Sequence, residues 1–162
     1  MNDWLSAVRW IHLLAGAAWL GEVITINFVL VPIVLRSQNS DRRRFIKNVF
    51  PLVFRLASIL ALIAIAAGAL LNYQITGWKN LDEYFATPRG LAILVGGLLG
   101  LGLTLFHFTL ERRLEPLIER LDDESDAEQV EEITSRLRWI PRFGLVVLFL
   151  IFILMMYGAR GF

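Results

Sequence analysis

Residues 52–72 read LVFRLASILALIAIAAGALLN, a run in which Arg55 is the only charged side chain. A helix of about 20 apolar residues rises about 30 Å, which is the thickness of the hydrocarbon core of a bilayer. The run therefore predicts a transmembrane helix. Three further stretches are long and apolar enough to do the same, at residues 10–35, 91–110 and 143–158. The sequence thus predicts an all-α, polytopic membrane protein, a four-transmembrane-helix bundle that forms one domain over residues 1–162.

The composition agrees with this prediction. The chain has 162 residues, of which 56% are apolar, and its mean hydropathy is +0.58, whereas soluble domains are about 45–50% apolar. The formal net charge is only +1 and the basic residues lie beside the apolar runs, which argues against a nucleic-acid-binding protein. Because the chain has no cysteine, disulfides, thiolate metal sites and thioether-linked haem are excluded.

The charges in the loops predict the orientation of the bundle. The loops at residues 36–51 and 111–142 are rich in arginine, whereas the opposite side carries few basic residues, namely Arg9, Lys79, Arg89 and Arg160. Since lysine and arginine mark cytoplasmic loops, we expect both arginine-rich loops in the cytoplasm and both termini outside the plasma membrane. Trp78, Tyr84 and Phe85 suit an aromatic belt at the outer interface.

The segment 111–142 combines charge with apolar residues at helical spacing, which are Leu114, Leu117, Ile118, Leu121, Val130, Ile133 and Leu137. This pattern predicts cytoplasmic helical extensions of the third and fourth spans, joined by an acidic turn at residues 122–128. Such a hairpin is either a solvated element or a docking surface for a partner.

Polar side chains inside the spans are the candidate functional residues, because they are costly in hydrocarbon unless they are paired or ligated. The chain has two histidines, His12 in the first span and His107 in the third. Glu22 follows His12 in the first span, and Arg55 enters the second. The histidines are candidate ligands of a metal or haem iron, while Glu22 and Arg55 are candidates for proton transfer or for holding haem propionates.

Small residues surround both histidines on their helix faces. The helix face of His12 also carries Ala15, Gly16 and Trp19. The helix face of His107 carries small or polar residues of the third span, namely Gly96, Gly100 and Thr104. Such faces would let a flat macrocycle approach the backbone and would form the walls of a haem pocket. The alternative is close helix packing, for which the small-xxx-small spacing is typical.

The two histidines are predicted to differ in depth by about 15–20 Å, at ~1.5 Å per residue. One iron therefore does not readily accept both, and the fourth span offers Met155 and Met156 as second ligands at the level of His12. His/Met ligation is known for haem iron, and the same residue types also bind copper. The residues alone leave haem and copper open.

The first span resembles the first helix of a membrane superfamily. The match is the run Arg9-Trp10-Ile11-His12 followed by Gly16, Trp19-Leu20-Gly21 and Pro32. This superfamily includes the CopD-like copper-resistance proteins, the HemJ-like protoporphyrinogen oxidases and the membrane domain of some bacterial urate oxidases. The basic entry to the second span, with Pro51 and Arg55, and the end of the third span, with His107 before Arg112-Arg113, are similar to the same group. The resemblance implies a haem b site with His12, and also His107, as ligands.

We therefore expect a membrane-embedded b-type haem protein that transfers electrons or catalyses a haem-dependent redox reaction as a membrane oxidoreductase. Its expected partners are the lipid bilayer, haem and a quinone or another redox protein, and a homodimer is compatible with the sequence. The alternatives are copper uptake or delivery of the CopD type, protoporphyrinogen oxidation, and a structural subunit whose histidines only form hydrogen bonds between helices.

Overall fold

The computed structural model describes residues 3–121 and 127–160, which form helices joined by short connections. The chain runs through α1 (Asp3–Thr25), a π-helical segment (Ile26–Leu30), α2 (Val31–Arg36), α3 (Asn39–Thr76), α4 (Leu81–Ala86), α5 (Pro88–Glu119) and α6 (Ala127–Arg160). Four helical stretches are long and apolar enough to cross a membrane, the first of them comprising α1, the π segment and α2. The predicted all-α, four-span architecture is confirmed.

The four long helices form an antiparallel bundle. α1 packs mainly against α3 and α5 against α6, while α3–α5 and α1–α6 contacts close the bundle. The connections alternate between two ends. Both ends of the described chain and the α3–α5 connection lie at one end, here called the terminal end. The α2–α3 and α5–α6 connections lie at the other, here called the arginine-rich end.

The first span contains a wide turn. The N–H of Val31 donates to the carbonyl of Ile26, five residues earlier, which is the hydrogen-bond pattern of a π-helix. Pro32 follows in the first turn of α2 and has no N–H to donate, so the regular ladder cannot continue unbroken through this point. Within the π segment, Asn27 Nδ2 donates to the carbonyl of Val23 at 2.8 Å and to that of Pro141 on α6 at 2.9 Å. This side chain thereby ties the irregular turn to the fourth span.

α3 presents small residues to the interior of the bundle. Between residues 57 and 67 its buried positions are Ala57, Ser58, Ala61, Ala64 and Ala67. Small side chains allow helix backbones to approach closely, which favours association in a membrane, where van der Waals contact replaces the hydrophobic effect. The central cluster packed on this face includes Trp19 and Val23 of α1, Leu103 of α5 and Leu148 of α6.

The most completely buried side chains lie at the arginine-rich end. There the apolar stripes of the α5 and α6 extensions pack against α2 and the first turns of α3, and the fully enclosed residues include Ile46, Phe50, Leu114, Ile118, Leu121, Val130 and Ile133. The helical extensions are therefore confirmed, and the apolar stripe predicted on them is buried within this chain. Of the predicted acidic turn, residues 122–126 lie outside the described part of the chain.

Two basic side chains fasten this end of the bundle. Arg42 Nε donates to the carbonyl of Val34 at 3.0 Å, and its Nη1 pairs with Glu131 of α6 at 2.9 Å. Lys47 Nζ donates to the carbonyl of Leu121 at 2.7 Å. Since carbonyls at helix ends lack intrahelical partners, some of the positive charge of these loops serves to satisfy backbone acceptors.

Candidate functional site

His12 lies at the interface between α1 and α3. Its Nδ1 is 2.8 Å from the carbonyl oxygen of Ala64. Because a carbonyl oxygen only accepts hydrogen bonds, Nδ1 carries the proton. In the neutral ring Nε2 then keeps its lone pair. A single hydrogen bond to the backbone of α3 thus determines both the orientation of the ring and the nitrogen that is available to a ligand.

Gly68 makes room for this ring. A Cβ on Gly68 would lie 2.9 Å from Cε1 of His12 and 3.2 Å from Nδ1, which is closer than non-bonded atoms normally approach. Glycine at this position therefore lets the imidazole lie against the backbone of α3. On α1 itself, Gly16 lies one turn after His12. A Cβ on Gly16 would meet no atom of a neighbouring helix within 4 Å, so the space next to Gly16 is open.

His107 belongs to a separate polar network nearer the arginine-rich end. Its Nε2 lies 3.2 Å from the carbonyl of Phe54 and 3.2 Å from Oγ of Ser58. Ser58 Oγ in turn donates to the carboxylate of Glu111 at 2.6 Å. The carbonyl acceptor places the proton of a neutral His107 on Nε2. The N–H of His107 is thus shared between the Phe54 carbonyl and the Ser58 hydroxyl, and Ser58 links His107 to Glu111 in one hydrogen-bonded network.

The two histidines are not brought together. His12 contacts the carbonyl of Ala64 and His107 that of Phe54. These two residues are ten positions apart on α3, which corresponds to about 15 Å along a helix. This spacing agrees with the depth difference expected from the sequence. Each histidine therefore stands in its own environment, with its own hydrogen-bond partners.

Glu22 lies beside α3 at about the level of His107, on a different helix interface. Both carboxyl oxygens are buried and, within the described part of the chain, have no hydrogen-bond partner of good geometry, although the backbone of Ala57 lies near them. Beside them a groove of about 390 Å³ runs between α1 and α3, and its wall is almost wholly apolar: Ala18, Thr25, Ile26, Leu30, Val53, Leu56 and Leu60. Both oxygens are covered by the surrounding atoms, so the polar part of Glu22 contributes almost no surface to the groove.

The two methionines lie away from His12. Met155 occupies the α5–α6 interface, where its Cε is 2.9 Å from the position of a Cβ on Gly96. His12 instead lies between α1 and α3, so the structure does not place Met155 opposite its imidazole. Met156 is exposed on the surface of α6.

The remaining expected pocket residues have packing roles or lie on the surface. Gly100 accommodates Ile65 Cδ1, which lies 3.1 Å from the position of a Cβ, and the hydroxyl of Thr104 bonds to the Gly100 carbonyl of its own helix. Ala15 and Trp19 are buried inside the bundle, whereas Arg55 is exposed on α3. On α5, therefore, the small residues admit side chains of neighbouring helices, which was the packing alternative.

Several residues of these sites escaped the sequence analysis. Glu111 follows His107 by four residues, so both lie on one helix face, and this spacing was the available signal. Ser58, Ala64 and Gly68 gave no comparable signal, because their contribution is a hydroxyl, a backbone carbonyl and an absent side chain in an apolar helix. Only the packing of α3 against α1 and α5 reveals them.

The residues present fit haem at one histidine better than at the other. A haem ligand requires a ring nitrogen with a free lone pair and room for the macrocycle. His12 offers Nε2, and the space beside Gly16 on the same helix is open, although neither the groove beside Glu22 nor the cavity beside His107 is lined by His12. The cavity next to His107 measures only about 60 Å³, whereas sites for small molecules usually measure about 300–1,000 Å³. Among residues 3–121 and 127–160, no three His, Asp or Glu side chains converge to hold a bare metal ion.

The fold and these sites define a four-helix integral membrane protein with candidate sites at His12, at His107 and at Glu22. Residues 14–127 match the family model described as "Domain of unknown function (DUF4149)". Since the match covers more than half of the chain, the protein belongs to the DUF4149 family. No curated protein and no solved structure shows significant similarity to the chain.

Proposed function

We propose that this protein is a b-type haem protein of the plasma membrane in which Nε2 of His12 ligates the iron. The observation that carries the proposal is the 2.8 Å hydrogen bond from Nδ1 of His12 to the Ala64 carbonyl. Histidines that ligate metals commonly donate their other ring N–H to a backbone carbonyl or carboxylate, which fixes the tautomer and increases the basicity of the ligating nitrogen. The resemblance of residues 9–21 to the CopD-like and HemJ-like superfamily supports the same residue.

Haem bound at this position would supply one-electron redox chemistry, and the protein would supply ligation, orientation and burial. The Ala64 carbonyl holds the imidazole in place, and Gly68 keeps the ring against α3. With the arginine-rich end in the cytoplasm, as we propose from the loop charges, His12 lies in the outer half of the membrane.

The proposal is tested by the absorbance of the detergent-purified protein, oxidised and then reduced with dithionite, with haem quantified as the pyridine haemochrome. We expect a Soret band, sharp α and β bands on reduction and about one haem per chain. His12→Ala should lower the haem content at least tenfold, because the axial ligand is lost. His107→Ala is the matched control, since it removes the other histidine, and it should retain haem.

Three results would contradict the proposal. Haem content unchanged in His12→Ala would remove His12 as the ligand, and loss of haem in His107→Ala alone would transfer the site to the other histidine. A flat spectrum from protein expressed with ample haem would exclude a cytochrome, and metal analysis of the same sample would then decide between copper and a structural role. Size-exclusion profiles of all three proteins show whether each variant is folded.

A further inference from the structure

The groove between α1 and α3 combines two features that seldom occur together in a membrane helix bundle. Its wall is almost wholly apolar, yet it contains the carboxyl group of Glu22, whose two oxygens are buried without a hydrogen-bond partner. The other polar side chain of the wall, Thr25, already donates to the Gly21 carbonyl of its own helix at 2.9 Å. A buried polar group without a partner is unfavourable, so rotation of the Glu22 side chain into the groove would let an occupant supply the missing hydrogen bond.

The occupant enters from the bilayer. Ala18, Thr25 and Leu56, which line the groove, are exposed on the surface of the spans, and this surface faces lipid in a membrane. The volume of about 390 Å³ falls in the range of small-molecule sites. An occupant therefore has an apolar body of modest size and a polar group that reaches Glu22.

The chemistry of the wall selects a neutral donor. No basic side chain lines the groove, and a cationic ligand would have to carry its charge into hydrocarbon at high cost. A hydroxyl group satisfies a carboxyl oxygen without that cost. A flat ring that carries a hydroxyl group and a short apolar substituent matches the volume, the lining and the single polar position of the groove.

We propose that this groove binds a lipid-soluble quinol, with a ring hydroxyl donating to the carboxyl group of Glu22. The choice of a quinol among hydroxyl-bearing lipids rests on the proposed haem function, because a quinol is a hydroxyl-bearing lipid that can donate electrons to a haem protein in the membrane. The groove and its free carboxyl group do not depend on haem. Binding is therefore measured separately from any redox reaction.

The test is equilibrium binding of radiolabelled decylubiquinol to the full-length protein in nanodiscs, with empty nanodiscs of the same lipid subtracted. We expect saturable binding of about one quinol per chain. Glu22→Leu should weaken binding about tenfold, because a hydrogen bond to a buried group is lost. Glu22→Gln keeps an acceptor oxygen and should stay within about threefold of the wild type, whereas a cationic ligand would require the carboxylate itself.

A second pair of variants tests the groove independently of Glu22. Leu56→Trp places a large ring in the groove and should abolish saturable binding. Leu98→Trp is the matched control, since Leu98 is a lipid-exposed leucine of α5 that does not line the groove, and it should bind as the wild type does. Equal binding by Leu56→Trp and Leu98→Trp, or by Glu22→Leu and the wild type, would overturn the proposal.

The same assay distinguishes a quinol from another hydroxyl-bearing lipid. It also tests the groove proposal separately from the haem proposal. Displacement of decylubiquinol by dioctanoylglycerol at similar concentration would identify a lipid site and overturn the choice of a quinol. Binding that persists in His12→Ala supports the groove whether or not haem is present. Protein that contains haem but shows no saturable quinol binding contradicts the groove alone, and protein that binds quinol without haem contradicts the haem proposal alone.

Discussion

Ser58 is the residue on which the polar network of the third span depends. It donates to Glu111 and lies within hydrogen-bonding distance of His107, and it is itself buried against α5. A serine hydroxyl both donates and accepts, so this one side chain links two titratable groups on the neighbouring helix. Its removal leaves the Glu111 carboxyl without its donor.

We expect Ser58→Ala to destabilise the protein by about 1–2 kcal/mol, because the partly buried Glu111 carboxyl group loses its donor. The measurement is thermal or denaturant unfolding in detergent, followed by circular dichroism. Thr104→Val is the control, since the Thr104 hydroxyl bonds only to the Gly100 carbonyl of its own helix and its loss strands no partner. We expect a smaller loss than in Ser58→Ala, because the Gly100 carbonyl keeps its intrahelical partner and no acceptor is left unpaired. Equal losses in both variants would show that the Ser58–Glu111 bond contributes no more than an ordinary hydroxyl.

At the scale of the helices, the pairing of α1 with α3 positions both His12 and the Glu22 groove. The two helices approach through small residues of α3, among them Ala57, Ala64 and Gly68. Close approach brings the Ala64 carbonyl within reach of the imidazole, and the same interface opens into the groove further along. A change in the separation of α1 and α3 therefore affects both proposed sites.

Gly68→Ala tests this pairing. The added Cβ would lie 2.9 Å from Cε1 of His12, so the ring has to move or the helices have to separate, and overpacking of this kind costs about 1–3 kcal/mol. We expect a lower unfolding temperature and a weaker retention of haem. Gly97→Ala is the control, because a Cβ there meets no atom of a neighbouring helix within 4 Å and alanine favours the helix by up to about 1 kcal/mol. Unfolding temperatures that do not differ between the variants would contradict the close contact of His12 with α3.

At the scale of the whole molecule, the distribution of charge predicts the orientation of the bundle in the membrane. The terminal end carries the aromatic residues of the α3–α5 connection, including the exposed Trp78, whereas Arg42 and Lys47 fasten the arginine-rich end. The charge asymmetry favours insertion with the arginine-rich end in the cytoplasm. The structure is compatible with this orientation, since both arginine-rich connections lie at one end.

Single cysteines can report this orientation directly, because the natural chain has none. Glu83→Cys lies on α4 at the terminal end and Gln38→Cys lies between α2 and α3, and both positions are exposed. We expect a membrane-impermeant maleimide to label Glu83→Cys in intact cells and Gln38→Cys only after the membrane is opened. The reverse pattern would invert the topology and place His12 in the cytoplasmic half of the membrane.

The architecture could be predicted from the amino-acid sequence. A helix needs about 20 apolar residues to cross the bilayer, and within a helix the backbone N–H and C=O groups satisfy one another without water. The sequence also singled out His12, His107 and Glu22, since polar groups stand out in apolar helices. The apolar stripe of residues 114–137 was recognised by its period, although only the packed structure shows that α2 and α3 cover it.

The hydrogen-bond partners of these polar groups, in contrast, depend on how the helices pack and could not be predicted from the sequence. The histidines contact the backbone carbonyls of Ala64 and Phe54 and the hydroxyl of Ser58. No pattern in the sequence identifies these groups as partners of the histidines. Likewise, Met155 and Gly96 are 59 positions apart in the chain and meet only because α5 packs on α6. Local sequence specifies which groups are costly in hydrocarbon, whereas the rotation and separation of neighbouring helices determine which of them find a hydrogen-bond partner and which, like Glu22, are buried without one among the described residues.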